Sequence, residues 1–136
     1  MEEKLFSFLP DQFPNPEAFF VELTGITYPD PHYRIDRDRS PVLCLEYVIS
    51  GQGSVNIGGQ SFDPKAGDVY LLPMGLHHRY RSDPHNPWQK IWMNVRGTLC
   101  ADLLGEYHLG ETYHIPPCPL LGLFQEFVSV CSSPPS

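Results

Sequence analysis

No stretch of this 136-residue chain stays apolar long enough to cross a bilayer, which takes about 20 residues. Basic residues are scarce as well. Nine Lys and Arg stand against sixteen Asp and Glu, for a formal charge of −7, and that balance repels a polyanion unless the cations gather on one face. Along the sequence they do not gather, because Arg34, Arg37 and Arg39 alternate with Asp36 and Asp38, and Arg79 and Arg81 are followed by Asp83. The chain by itself is therefore not expected to bind nucleic acid. The four cysteines, Cys44, Cys100, Cys118 and Cys131, lack CxxC spacing, and no basic segment followed by an apolar run marks an export signal. A soluble protein of the reducing cytoplasm is the expectation. No internal repeat is visible.

What the chain has in quantity is punctuation. Fifteen Pro and eleven Gly are distributed among many short apolar runs, which argues for strands and turns over long helices. Hydrophobic residues make up 41% and aromatics 12%, too much for a disordered chain. A chain near this length buries roughly two-thirds of its unfolded surface, so one domain with a real core is expected, an all-β barrel or sandwich.

The organising stretch is residues 67–80, Gly-Asp-Val-Tyr-Leu-Leu-Pro-Met-Gly-Leu-His-His-Arg-Tyr. Val69 to Leu72 reads as a buried strand between turns. Pro73 and Gly75 then allow a sharp corner, since proline fixes φ and glycine can take a positive φ. His78 and Tyr80 follow on one face of the next strand. Upstream, residues 42–49 form the strongest strand run, and Gly58-Gly59 is a two-residue hairpin signal between 54–57 and 60–63. Residues 19–27 read as the first strand and 88–95 as another. Residues 1–18, broken by Pro10, Pro14 and Pro16, read as an irregular arm, either a tail or a lid over a pocket. Residues 98–104 suit a short helix, 107–115 are ambiguous, and Pro116-Pro117-Cys118-Pro119 is a break. Leu120, Leu121, Phe124, Phe127, Val128 and Cys131 recur at helical spacing, so 119–131 reads as an amphipathic helix lying on the barrel, with 132–136 as a linker.

Gly67, Pro73, Gly75 and His78 match the spacing of the second motif of cupins, small jelly-roll barrels, with Ser82 where that family has Asn. Glu46 and Gly53 match the end of the first cupin motif. The histidines that should precede Glu46 are replaced by Arg39, Ser40, Pro41 and Val42. The resemblance thus leaves Glu46 and His78 of the family's usual three His and one Glu, and catalytic transition-metal sites take about three protein ligands. No metal or cofactor is expected. Taken in order, residues 33–37, 47–53 and 67–80, with Asp83-Pro84, Pro87-Trp88, Trp92 and Gly97, resemble the N-terminal effector-sensing domain of AraC-type transcription regulators over about residues 19–130. The implied fold is a mainly β, cupin-like jelly-roll barrel (19–118) followed by a C-terminal helix. Full-length members carry two helix-turn-helix motifs C-terminal to this domain, and nothing here supplies them.

Strand parity gives a candidate pocket: His78 with Tyr80, and Lys90, Trp92 and Asn94 on one face. An indole face with a few polar tips suits a small polar metabolite. The resemblance carries ligand roles onto Arg37, Tyr80, Lys90 and Trp92, and Glu46 and His78 complete the candidate set. Blander readings stand beside each. Trp92 and Trp88 can be core, His78 a structural histidine, Arg37 a solvated charge, and Glu46 either lumen-facing or paired with Lys90 or Arg37. The resemblance implies a non-enzymatic sensor of a small effector, with saccharides the family's commonest theme, that reaches DNA through an attached domain and dimerises at full length. The competing readings are a metal-dependent isomerase or dioxygenase and an interaction module with a filled barrel.

Overall fold

A computed structural model describes residues 2–106, 113–115 and 120–132. The apolar runs become strands almost where the turns bound them. In chain order these are β1 (Glu3–Ser7), β2 (Phe20–Thr27), β3 (Arg34–Arg37), β4 (Leu43–Ser50), β5 (Gly53–Ile57), β6 (Gln60–Phe62), β7 (Val69–Leu72), β8 (His78–Ser82) and β9 (Gln89–Arg96), then α1 (Thr98–Glu106), β10 (His114–Ile115) and α2 (Leu121–Ser132). They form two antiparallel sheets, one ordered β1-β2-β9-β4-β7-β10 and the other β3-β8-β5-β6.

The corner at residues 73–75 is where the chain changes sheets. Val69–Leu72 is buried throughout in the large sheet, and His78–Ser82 runs in the small one with His78, Tyr80 and Ser82 buried and Arg79 and Arg81 exposed. Gly75 takes φ 81° and donates its N–H to the Ser40 carbonyl at 2.9 Å, which fastens the corner. The β5–β6 hairpin turns on Gly58 and Gly59, φ 55° and 81°, as the sequence predicts.

One expectation needs correcting, and one strand was not anticipated. Residues 1–18 are not without regular structure: Glu3–Ser7 pairs with β2 as an edge strand, and Pro10–Gln12 forms a single 3-10 turn. The prolines all lie beyond Ser7, and an edge strand needs only one neighbour, so five proline-free residues suffice. The charged segment 34–37 is also a strand, β3, in which Arg34 and Asp36 face solvent while Ile35 and, at its end, Arg37 lie across from the inward-facing Tyr80 and His78.

Between the sheets lie Tyr33, Val48, Val55, Ile57, Tyr70, Leu72, Tyr80 and Trp88. Trp88 is fully buried, so its core reading holds. On the outer face of the large sheet, Phe124 of α2 stacks on Tyr47 at 5.0 Å beside Val69 and Ile91, with Leu121 and Val128 against the same cluster. Burying the Phe124 ring contributes about 1.5–3 kcal/mol, which fixes a helix too short to persist alone. The Pro116–Pro119 break, residues 107–112 and the end of the linker lie outside the described residues.

Candidate functional site

Antiparallel register sets which side chains share the interior. In the large sheet Glu46 lies across from Trp92 and Cys44 across from Asn94. In the small sheet Ile35 lies across from Tyr80 and Arg37 across from His78. These inward faces leave a cavity of about 130 Å³, walled by Cys44, Glu46, Trp92, Asn94, Tyr33, Tyr80 and Leu23, with Ile35 and exposed Arg37, and with Glu3 and Leu5 of β1. Of the six expected site residues, Arg37, Glu46, Tyr80 and Trp92 come together there. His78 and Lys90 do not line it.

Lys90 stands behind the wall. Its ammonium is fully buried, donates to a Glu46 carboxylate oxygen and to the Tyr70 hydroxyl at 3.0 Å, and sits 4.5 Å from the Trp88 ring and 4.6 Å from both Tyr33 and Tyr80. Burial is the largest single influence and works to lower the Lys90 pKa, but Glu46 and Tyr33 together outweigh it and the net direction is upward, so the ammonium keeps its proton at neutral pH. Burial pushes the Tyr33 hydroxyl up to about 12 and raises those of Tyr70 and Tyr80 as well, so all three keep their protons. The cation that parity placed on the inner face is therefore spent on holding Glu46.

Glu46 presents its other oxygen toward Cys44, whose thiol donates to it at 3.4 Å. Burial first, and the Glu46 charge second, raise the Cys44 pKa, so the group is a thiol donor rather than a nucleophile. Trp92 donates its indole N–H to Thr27 Oγ1 at 2.9 Å, and Thr27 donates to Glu3 at 2.7 Å. With its nitrogen engaged, Trp92 offers the cavity ring carbon surface. Among the described residues Asn94 Oδ1 is buried with no hydrogen-bond partner, and a buried acceptor in a cavity wall is a place for a donor to dock.

His78 is fully buried, and neither ring nitrogen has a protein partner. Desolvation, with Arg37 second, lowers its pKa, so it is held neutral. His77, on the opposite face, pairs with Asp36 at 2.6 Å. No group of three metal-ligating side chains converges among the described residues, and Glu46 is already committed to Lys90. The wall residues that sequence reasoning did not place in the pocket are Cys44, Leu23, Tyr33, Ile35, Glu3 and Leu5. Parity with Glu46 could have found Cys44, whereas Asn94 was already on the inward face; nothing local marks the others.

A pocket between two antiparallel sheets, closed by polar side chains and one indole, invites comparison with known domains. The sequence model of the AraC-like ligand binding domain matches residues 20–131. The chain belongs to that family. Among relatives of this AraC-like domain, the Msm operon regulatory protein of Streptococcus mutans is 24% identical over 86 residues, covering 63% of this chain and 31% of that protein. The lactose operon transcription activator of Staphylococcus xylosus is 27% identical over 71 residues, 52% of this chain and 25% of that one. The chain therefore spans only a quarter to a third of the length of these two regulators. Solved structures agree on the fold. YhaK from Escherichia coli superposes with a TM-score of 0.56 at 14% identity, over 71% of this chain and 45% of that one. The Cnp3 cupin domain of Schizosaccharomyces pombe gives 0.53 at 15%, over 77% and 72%. The barrel is of the cupin kind.

Proposed function

We propose that this AraC-like domain binds a small, hydroxyl-bearing metabolite in the interior cavity and thereby controls an attached DNA-binding domain, without catalysis. The observation that carries the reading is the composition of the wall. The ring surface of Trp92 suits C–H groups, while the unpaired Asn94 Oδ1 and the Glu46 carboxylate accept from hydroxyls and exposed Arg37 stands ready for a further polar group. Saccharides and sugar acids have this mixture. The regulatory names of the relatives support a sensor that acts on transcription through an attached DNA-binding domain; a cytoplasmic location and a dimer of the longer regulator are part of the same proposal.

A thermal-shift screen over sugars, sugar acids and small hydroxy acids tests it. A compound at one hundred times its dissociation constant adds about 2.7 kcal/mol of stability, and Asn94→Leu should remove that gain. The metal-enzyme reading has the opposite signature. Near-stoichiometric transition metal in protein purified without chelators, lost in His78→Ala, would replace the sensor with an enzyme.

A further inference from the structure

β8 sends its arginines outward, and the register of the small sheet decides which charges meet there. On the outer face Arg34 of β3 lies directly across from Arg81, with Ser54 of β5 across from Arg81 on the other side and Asn56 across from Arg79. All three arginines are exposed, and together they border a depression of about 290 Å³. The alternation with aspartates that disperses these cations along the sequence is undone by the fold.

Arg79 is taken by Asp36 at 3.1 Å, which also receives His77. Arg34 and Arg81 have no carboxylate within ion-pair distance among the described residues. Asp63 also lines the depression without reaching ion-pair distance of Arg34 or Arg81, and the Asp83 carboxylate beyond Arg81 is taken by the Gln52 amide at 2.7 Å and the His85 N–H at 2.8 Å. Like charges directly opposed across strands destabilise a sheet. A chain with sixteen carboxylates leaves this pair unneutralised on a concave surface.

The geometry points to a second binding site on this outer face, for a small phosphate-class dianion held between Arg34 and Arg81 with the Ser54 hydroxyl as a further donor. Two guanidinium forks match the oxygens of a phosphate, and the charge that repels in the free protein attracts in the complex. The depression leaves room for the organic part of a phosphate monoester. This site does not rest on the interior cavity, because β8 separates the two by side-chain parity.

Inorganic phosphate and chloride at matched ionic strength provide the test, read by thermal melting and by phosphorus NMR titration. The wild-type chain should show a saturable stabilisation by phosphate, and in Arg34→Gln/Arg81→Gln the phosphate affinity should fall by about tenfold or more. In chloride alone the double variant should melt above the wild type, because the cross-strand repulsion is gone. The single variant Arg81→Gln should show both effects in part. Equal stabilisation of wild type and variants, or no gain over chloride, overturns the proposal. A short DNA duplex separates the two sources of phosphate: duplex binding without any response to inorganic phosphate also overturns the small-anion site.

Discussion

Lys90→Met tests the centre of the site most directly. Lys90 is 0% exposed and the Glu46 side chain 2%, so the substitution leaves a carboxylate in the interior with only the Cys44 thiol beside it. Breaking one side of such a pair costs about 3–5 kcal/mol, and the lost attraction to desolvated rings adds about 2 kcal/mol, part of which the methionine recovers by packing. The expected loss is about 4 kcal/mol, a large share of the roughly 5–15 kcal/mol that holds a domain together. Lys90→Met/Glu46→Leu removes both charges and should regain most of it, ending within about 2 kcal/mol of wild type. Urea unfolding followed by the emission of Trp88 and Trp92 gives all four corners of the cycle. A coupling below about 1 kcal/mol would refute the claim that Lys90 holds Glu46 in place.

Trp92→Ala should abolish binding of any compound found in the thermal-shift screen, and because the ring is only 8% exposed it should also cost about 3 kcal/mol of stability. Arg37→Ala should weaken binding while changing stability by less than about 0.5 kcal/mol, and unchanged affinity would remove Arg37 from the site. His78 is held neutral, so its contribution is complete above the ordinary histidine value and is lost as pH falls below about 6.5, by at most about 1.4 kcal/mol per unit. Stability curves of wild type and His78→Gln that run parallel from pH 7.5 to 5.5 would show that His78 takes up its proton equally in the folded and unfolded chain, so that the fold does not hold it neutral. Because α2 spends Phe124 on Tyr47 and the barrel, this chain should self-associate weakly at most, although Leu123 and Val130 remain exposed; a tight dimer in sedimentation that Phe124→Asp dissolves without unfolding would show the opposite.

Local signals carried most of the fold. The corner at Pro73 and Gly75, the hairpin at Gly58-Gly59 and the α2 stripe are written in residues a few positions apart, and each formed where the spacing predicts. β1 and β3 were not legible, because each owes its existence to a partner strand far along the chain, β2 and β8 respectively. The site divides in the same way. Parity alone put Tyr80, Trp92 and Asn94 on inward faces, but whether an inward cation meets ligand or carboxylate depends on its neighbour across the sheet. Lys90 found Glu46, two residues' offset along β4 from Val48, its own register partner, and was withdrawn from the cavity. The arginines show the converse: alternation with aspartate looks neutral in one dimension, and register brings Arg34 and Arg81 together in two.

The cavity is small for its proposed task. At about 130 Å³ it is less than half the roughly 300 Å³ at which small-molecule pockets begin, so an effector of sugar size needs a wall to retreat. Trp92, Glu46 and Asn94 belong to strands with a neighbour on each side, whereas Glu3 and Leu5 belong to β1, which has β2 alone. β3, which carries Ile35 and Arg37, has β8 alone, so the walls that yield at least cost are the edge strands β3 and β1. The tie of β1 to the site is the hydrogen-bond chain from Trp92 through Thr27 to Glu3, so a ligand that shifts the indole loosens the same strand its bulk displaces. Effector binding should speed amide exchange in β1 while leaving β4 and β9 protected, and Thr27→Val should loosen β1 in the free protein. Exchange in β1 that slows on binding, or does not change, would show that the cavity admits its ligand by another route.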